Sequence, residues 1–210
     1  MKSDILSDHL KIDRYGDFLL TDAIRPSLKR QVVPTEGYRL EVYRDTAQRL
    51  EVPVLAAAVS RERLFDAFVD LLGELGDVAD VVLETSHDGD GRRHRDLLRE
   101  HIDMPVLLSH LYDFEDLLLH DGCTGIAVMS STQPMEVQFD EHKLLVVYAE
   151  DLAPFERSLG EYDIRRNDQI KLITEGEHLH NTTAQQIEQF DQMCYRLGVN
   201  DSVEPVNWRE

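Results

Sequence analysis

Four short apolar runs punctuate the middle of the chain, and each is closed by a serine. Val52 to Val59 stops at Ser60, Val78 to Leu83 leads into Ser86, Pro105 to Leu108 stops at Ser109, and Thr124 to Met129 stops at Ser130. Short uncharged runs bounded by polar residues suit strands buried on both faces. Between the first two, Leu64, Phe65, Phe68, Leu71, Leu72 and Leu75 recur at helical spacing, and Gly76 sits where a helix stop belongs. A second helix is predicted from the Asp88-Gly89-Asp90-Gly91 loop to about Asp103. A third is predicted over Asp113 to His120, ahead of an Asp121-Gly122 turn. Strands alternating with helices at this spacing predict βαβ units and a mainly parallel sheet.

After Pro134 the pattern changes. Glu136 to Phe139 and Lys143 to Tyr148 read as a hairpin around Asp140-Glu141-His142. Leu152 to Gly160 reads as a helix with Pro154 in its first turn, and Gln169 to Thr174 as a further strand. A last helix follows the capping-box spacings of Thr182 and Thr183. It aligns Ile187, Phe190, Met193, Cys194 and Leu197, and stops at Gly198. The expected fold is α/β: a mixed, mostly parallel central sheet with helices on both faces and an antiparallel hairpin addition. Residues 1–50 are expected to form an arm or small layer on the main domain, with strands over Tyr15 to Leu20 and Tyr38 to Tyr43. The α/β domain then spans 51–200, with a loose tail over 201–210.

A length of 210 residues, 42% of them apolar, suits one domain or at most two. The net charge of −19 is uneven: residues 1–50 carry nine bases and eight acids, and residues 51–210 carry 13 bases and 33 acids. Such a surface repels duplex nucleic acid and anionic membranes, and its ordinary consequence is solubility. The N-terminal residues hold no apolar core of a secretory signal. Cys123 and Cys194 match no zinc spacing and no CxxC pair, which suits a reducing compartment. A cytoplasmic protein without nucleic-acid or membrane partners is expected. A homo-oligomer is compatible with the sequence, which does not itself show one.

Three stretches carry candidate chemistry. If the four runs were parallel strands, their serines would share the carboxyl edge of the sheet, where ligands of open α/β sheets bind. Ser86-His87 and Ser109-His110 would then place hydroxyls and imidazoles on one rim as ligand-binding residues. Helix caps and loop residues are the readier account of them, because Ser is the expected cap residue. The loop Ser86 to Arg95 contains Gly and Arg, which favour anions, but its aspartates oppose that, and it is neither a P-loop nor an EF-hand. Third, in Glu177-His178-Leu179-His180 two imidazoles two residues apart point to one side of an extended segment. Glu177, His178 and His180 are therefore candidate ligands for a divalent metal, the one cofactor the sequence suggests. A further ligand would come from His142 or Asp140 on the hairpin. The alternative is a polar loop leading to the last helix. With no complete catalytic signature, the leading expectation is a non-catalytic ligand-binding or interaction module of unidentified ligand. The competing one is a hydrolase-type enzyme, metal-dependent at His178 and His180 or built on the Ser/His rim.

Overall fold

The backbone groups of the apolar runs find their partners in one sheet whose neighbours are all antiparallel. The computed structural model describes residues 10–29, 31–45, 50–87 and 95–201. Its strands are β1 (Arg14–Tyr15), β2 (Phe18–Leu19), β3 (Ile24–Pro26), β4 (Gly37–Asp45), β5 (Leu50–Ala58), β6 (Val78–Thr85), β7 (Arg95–Asp103), β8 (Thr124–Ser130), β9 (Glu136–Phe139), β10 (Leu144–Tyr148), β11 (His178–His180) and β12 (Asn200–Asp201). Its helices are α1 (Arg61–Leu72), α2 (Met104–Asp113), α3 (Glu115–His120), α4 (Ala153–Glu161) and α5 (Ala184–Leu197). The large sheet runs β12-β7-β6-β8-β9-β10-β5-β4. β1 pairs with β2, and β3 with β11, in two small antiparallel ribbons.

The expected mostly parallel sheet is therefore overturned, and two segments explain why. Arg95–Asp103 is a strand, not a helix, and pairs antiparallel with β6. Its apolar residues hide this, because Ala79 faces Ile102 while Val81 faces Arg99, so β7 carries one residue more than its partner. His101 takes a φ of 55° at this bulge, and its amide donates to Asp80 Oδ1 at 2.7 Å. The extra residue lets Leu97 and Ile102, five apart, both enter the core, which breaks the period-two pattern. The second segment is Pro105 to Leu108, which lies in α2. Proline sits in that helix's first turn, and Met104, Leu107 and Leu111 form its buried stripe.

β5 and β6 do run in the same direction, but three strands separate them. Ser60 and Ser86 consequently lie at one edge of the sheet. Ser130 lies at the other, because it pairs with Ala79 at the start of β6. Ser60 makes no side-chain cap on α1; its hydroxyl accepts from the Leu19 amide and donates to Glu62. Gln169 to Thr174 is not a strand; Ile170, Leu172 and Ile173 are buried in irregular backbone that ends in a 3₁₀ turn.

Helices on both faces are also not found. The buried residues of all five helices join one cluster with Leu55, Leu83, Val128, Phe139 and Val147 of the sheet. On the opposite face, Ala56, Ala58 and Leu144 are covered by Phe18, Leu20, Ile24, Ile170, Leu172 and Ile173, from two irregular segments and β2–β3. β4, within residues 1–50, is an edge strand of the main sheet, in nine-residue register with β5. The last helix is capped as its sequence suggests: Thr183 and Gln186 bond reciprocally, and Gly198 ends the helix with a φ of 66°. Among the described residues no helix is long and apolar enough to cross a membrane.

Glu136 lies on the face away from the helices, 3% exposed, and accepts from Gln138. Burial, and next to it the charge of Glu84, pushes its carboxyl up to about 7 against the pull of Gln138. Protonation is thus retained in the fold where the unfolded chain, with a carboxyl near about 4.3, has lost it. Wild-type stability relative to Glu136→Gln is expected to fall between about pH 4.5 and 7, by up to about 4 kcal/mol, and to level above that. Urea denaturation of both proteins across this range measures it. Leu71 is fully buried on α1, and Leu71→Ala is expected to cost about 2–5 kcal/mol in the same assay.

Candidate metal centre

One edge of the sheet gathers the hairpin turn, the approach to β8 and the β3–β11 ribbon. β11 pairs with β3 in the register His178–Pro26, Leu179–Arg25 and His180–Ile24. The two-residue period of the strand puts both imidazoles on one side. The β9–β10 turn brings His142 to them. Asp140 and Leu144 close that turn, with the Lys143 amide donating to Asp140 O at 3.0 Å and the Leu144 amide to Asp140 Oδ1 at 2.8 Å. Three-residue hairpin loops of this kind need a left-handed residue, and Lys143 fills the position with a φ of 61°. Its ammonium is buried and donates to Thr124 O at 2.8 Å.

The ring centroids of His142, His178 and His180 lie 4.9–5.1 Å apart. One donor nitrogen from each ring falls within 4.8 Å of the other two. Each Nδ1 is already engaged: His142 to Asp140 Oδ2 at 2.9 Å, His178 to Gly176 O at 2.8 Å and His180 to Gly122 O at 2.5 Å. Carbonyl and carboxylate oxygens only accept, so each Nδ1 carries the proton. Each Nε2 is then left with a lone pair, the tautomer that metal-ligating histidines adopt.

The rings differ in basicity. Burial depresses His142, but the hydrogen bond and charge of Asp140, with Glu141, bring it above the ordinary imidazole value. His180 is held below that value, first by burial and then by the neighbouring imidazoles.

A second group, His87, Asp121 and Cys123, also has metal-ligand atoms in mutual reach. Its hydrogen bonds are different in kind. His87 Nε2 meets Asp121 Oδ2 at 2.8 Å and His87 Nδ1 meets Thr85 Oγ1 at 2.7 Å, so both ring nitrogens are occupied. Phe190 packs edge-on against this ring at 5.1 Å. Asp121 is fully buried and takes further bonds from Thr124 Oγ1 and the Cys123 amide. Burial works to raise its carboxyl, but bonds from His87, Thr124 and Thr182 win and hold it below the usual range. The Cys123 thiol is pushed up, chiefly by burial. This group is scaffold: it fixes the 121–123 loop whose Gly122 carbonyl orients His180.

Gly122 is itself wedged into the ribbon. Its amide donates to Asn181 O, and the Asn181 amide donates to Ala23 O, both at 2.8 Å. A Cβ at residue 122 would stand close against Ala23 O and 2.9 Å from Asn181 O, both backbone atoms.

Of the residues singled out from sequence, His178 and His180 meet His142. Glu177 lies outside this group, in an exposed ion pair with Lys29 at 3.2 Å. Ser86 and His87 lie at the same edge, Ser86 donating to Glu141 Oε2 at 2.9 Å. Ser109 and His110 lie within α2, not at a strand end, so they do not join this rim. The stretch 88–94 of the Gly/Arg-containing loop lies outside the described residues. Asp121, Gly122 and Glu141 escape the sequence reading, since an Asp-Gly turn and a hairpin carboxylate carry no sign of what they touch. No protein-family model, curated protein or solved structure matches this chain.

Gly122→Ala is expected to destabilise the fold by about 1–3 kcal/mol, as overpacking against backbone does. It should also shift the His180 Nδ1 resonance as the Gly122 carbonyl moves. Urea denaturation and imidazole nitrogen NMR read the two effects.

Proposed function

We propose that this protein binds a divalent transition metal through His142, His178 and His180 and is a metal-dependent enzyme of hydrolytic type. The observation that carries this reading is a cluster of three imidazoles, each with a nitrogen within 4.8 Å of the others and each with its Nδ1 already bonded to an oxygen. Among the described residues the cluster offers three protein ligands, and three rather than four are the mark of a catalytic site, because a position stays open for water or substrate. A metal there would act as a Lewis acid on a bound water or carbonyl oxygen. Partial exposure of the three rings supports an entry path. The ligand set is all nitrogen, which suits zinc and its neighbours rather than magnesium or calcium. The acidic surface favours a cationic cofactor and speaks against nucleic acid or an anionic membrane as partner. The two free cysteines fit a cytoplasmic setting.

The test is native mass spectrometry of protein purified without chelator, followed by zinc titration. One zinc per chain is expected in the wild type and none in His178→Ala/His180→Ala. Zinc at 100 times its Kd should stabilise the wild type by about 2.7 kcal/mol and leave the double variant unmoved. Absence of zinc uptake with no change in melting would return the protein to a non-catalytic binding module.

A further inference from the structure

β4 is the outermost strand of the large sheet, and among the described residues β5 is its one neighbouring strand. Its nine residues match β5 without a bulge and contain no proline, two of the devices that stop an edge from pairing further. The start of the edge is taken. The Tyr38 amide donates to Arg165 O at 3.1 Å, and Tyr38 O accepts from the Asn167 amide at 2.7 Å. Both backbone groups of Tyr38 therefore point outward. In an antiparallel ladder this direction alternates along the strand, so Leu40, Val42 and Arg44 also present theirs outward. The Leu40 amide does so, donating to the Asp168 carboxylate. Among the described residues no backbone group meets those of Val42 and Arg44 on that side. The edge left open thus runs from Arg39 to Asp45, and its midpoint is Val42. Val42 and Tyr43 are 45% and 51% exposed there, which leaves apolar surface beside unpaired backbone.

We propose that this edge is the interface of a homodimer, in which β4 pairs antiparallel with β4 of a second copy about a two-fold axis through Val42 and joins the two large sheets. An axis normal to the sheet keeps like faces together, so odd-numbered residues stand opposite odd and even opposite even. Only the centre then has to be chosen. Centred on Val42, Val42 faces its copy, Leu40 faces Arg44, Glu41 faces Tyr43 and Arg39 faces Asp45. Opposite charges meet and like charges do not. A centre at Glu41 or Arg44 sets a charge against itself, and one at Tyr43 sets Glu41 against Asp45. A centre at Leu40 needs the place beside Tyr38 that residues 165–167 already fill. At the Val42 centre the outward groups of Val42 exchange both hydrogen bonds with those of its copy, and the Arg44 amide donates to the second copy's Leu40 carbonyl. The charges of the strand do not bar this approach, because Arg39 is paired with Glu41 and Glu175, and Arg44 with Glu51. The interface is separate from the three-histidine cluster and stands whether or not that cluster holds a metal.

Sedimentation velocity and native mass spectrometry of the full chain at micromolar concentration read the assembly, and oxidation of cysteine variants reads the register. The wild type is expected to be a dimer. Val42→Pro removes an outward amide and leaves the bonds between β4 and β5 in place, so it is expected to be a folded monomer with unchanged circular dichroism. Should it not fold, Val42→Lys, which sets two ammonium groups face to face at an exposed position, is expected to be monomeric in its stead. Val42→Cys is expected to form a disulfide-linked dimer about tenfold faster than Tyr43→Cys, with the wild type, which carries Cys123 and Cys194, as background. The Val42 pair holds its Cα atoms about 5.5 Å apart, within disulfide reach, whereas the two Tyr43 residues stand diagonally and beyond it. A monomeric wild type overturns the proposal, as does a folded Val42→Pro or Val42→Lys that stays dimeric. Cross-linking of Tyr43→Cys as fast as Val42→Cys overturns the register, and the proposal with it.

Discussion

A buried carboxylate holds the functional edge of this protein together. Asp121 has no exposed surface, and an ion removed from water must be given donors by the protein or it will not stay charged. Those donors come from separate places: His87 beyond the end of β6, Thr124 on β8, the Cys123 amide, and Thr182 ahead of α5. The requirement to satisfy one carboxylate thus draws three segments to a common point. Gly122 follows Asp121 in the chain, so its carbonyl is placed by the same bonds, and with it the ring of His180. Anchoring that begins with a charge ends as the orientation of an imidazole.

The two histidine groups at this edge show why residue type alone does not define chemistry. One holds three imidazoles and the other a single imidazole, His87, and in both an acceptor lies within hydrogen-bond reach. In the Asp121 group both nitrogens of His87 are taken, Nε2 by the Asp121 carboxylate and Nδ1 by the Thr85 hydroxyl, so the ring is a strut. In the other group the acceptors take one nitrogen from each ring and leave the second. The acceptors are supplied by three different devices: a side chain within the turn, a carbonyl two residues earlier on the same segment, and a carbonyl from across the ribbon. None of these requires His142, His178 and His180 to be near in sequence. All of them require the hairpin turn and the β3–β11 ribbon to be at one edge of the sheet.

That dependence sets what could be read from the chain. The pair His178-x-His180 was legible because strand periodicity is local, and the hairpin at 136–148 was legible because its turn is short and polar. Their meeting was not, since it depends on antiparallel strand order. The order in turn hinged on Arg95–Asp103, where a bulge lets Leu97 and Ile102 share a face and removes the period of two. Pro105 to Leu108 deceived for the opposite reason: a proline-led apolar run of four residues fits a strand or a first helical turn equally well. With those two segments exchanged, serines that would have lined one edge are divided between two edges and a helix. Strong periodicity in α1 and α5, by contrast, made both legible, because each has only one way to bury its stripe.

The antiparallel arrangement has a further physical consequence for a metal. The proposed ligands are His142, His178 and His180, and the ribbon that carries the last two engages residues 24–26. A cation on the three rings therefore links the hairpin of the main sheet to the segment that covers the sheet's second face. Burial of Phe18, Leu20 and Ile24 against Ala56 and Ala58 and ligation at the edge then stabilise the same docked state. Loops closed over more than a hundred residues lose much entropy, and loop-closure cost grows only slowly with length. Apolar cover and ligation divide that cost between them. The ribbon is short, three residues a side, and on its own would be marginal. Its place in the fold depends on what lies on either side of it: an apolar layer below and, at its outer end, the packed imidazoles of His142, His178 and His180.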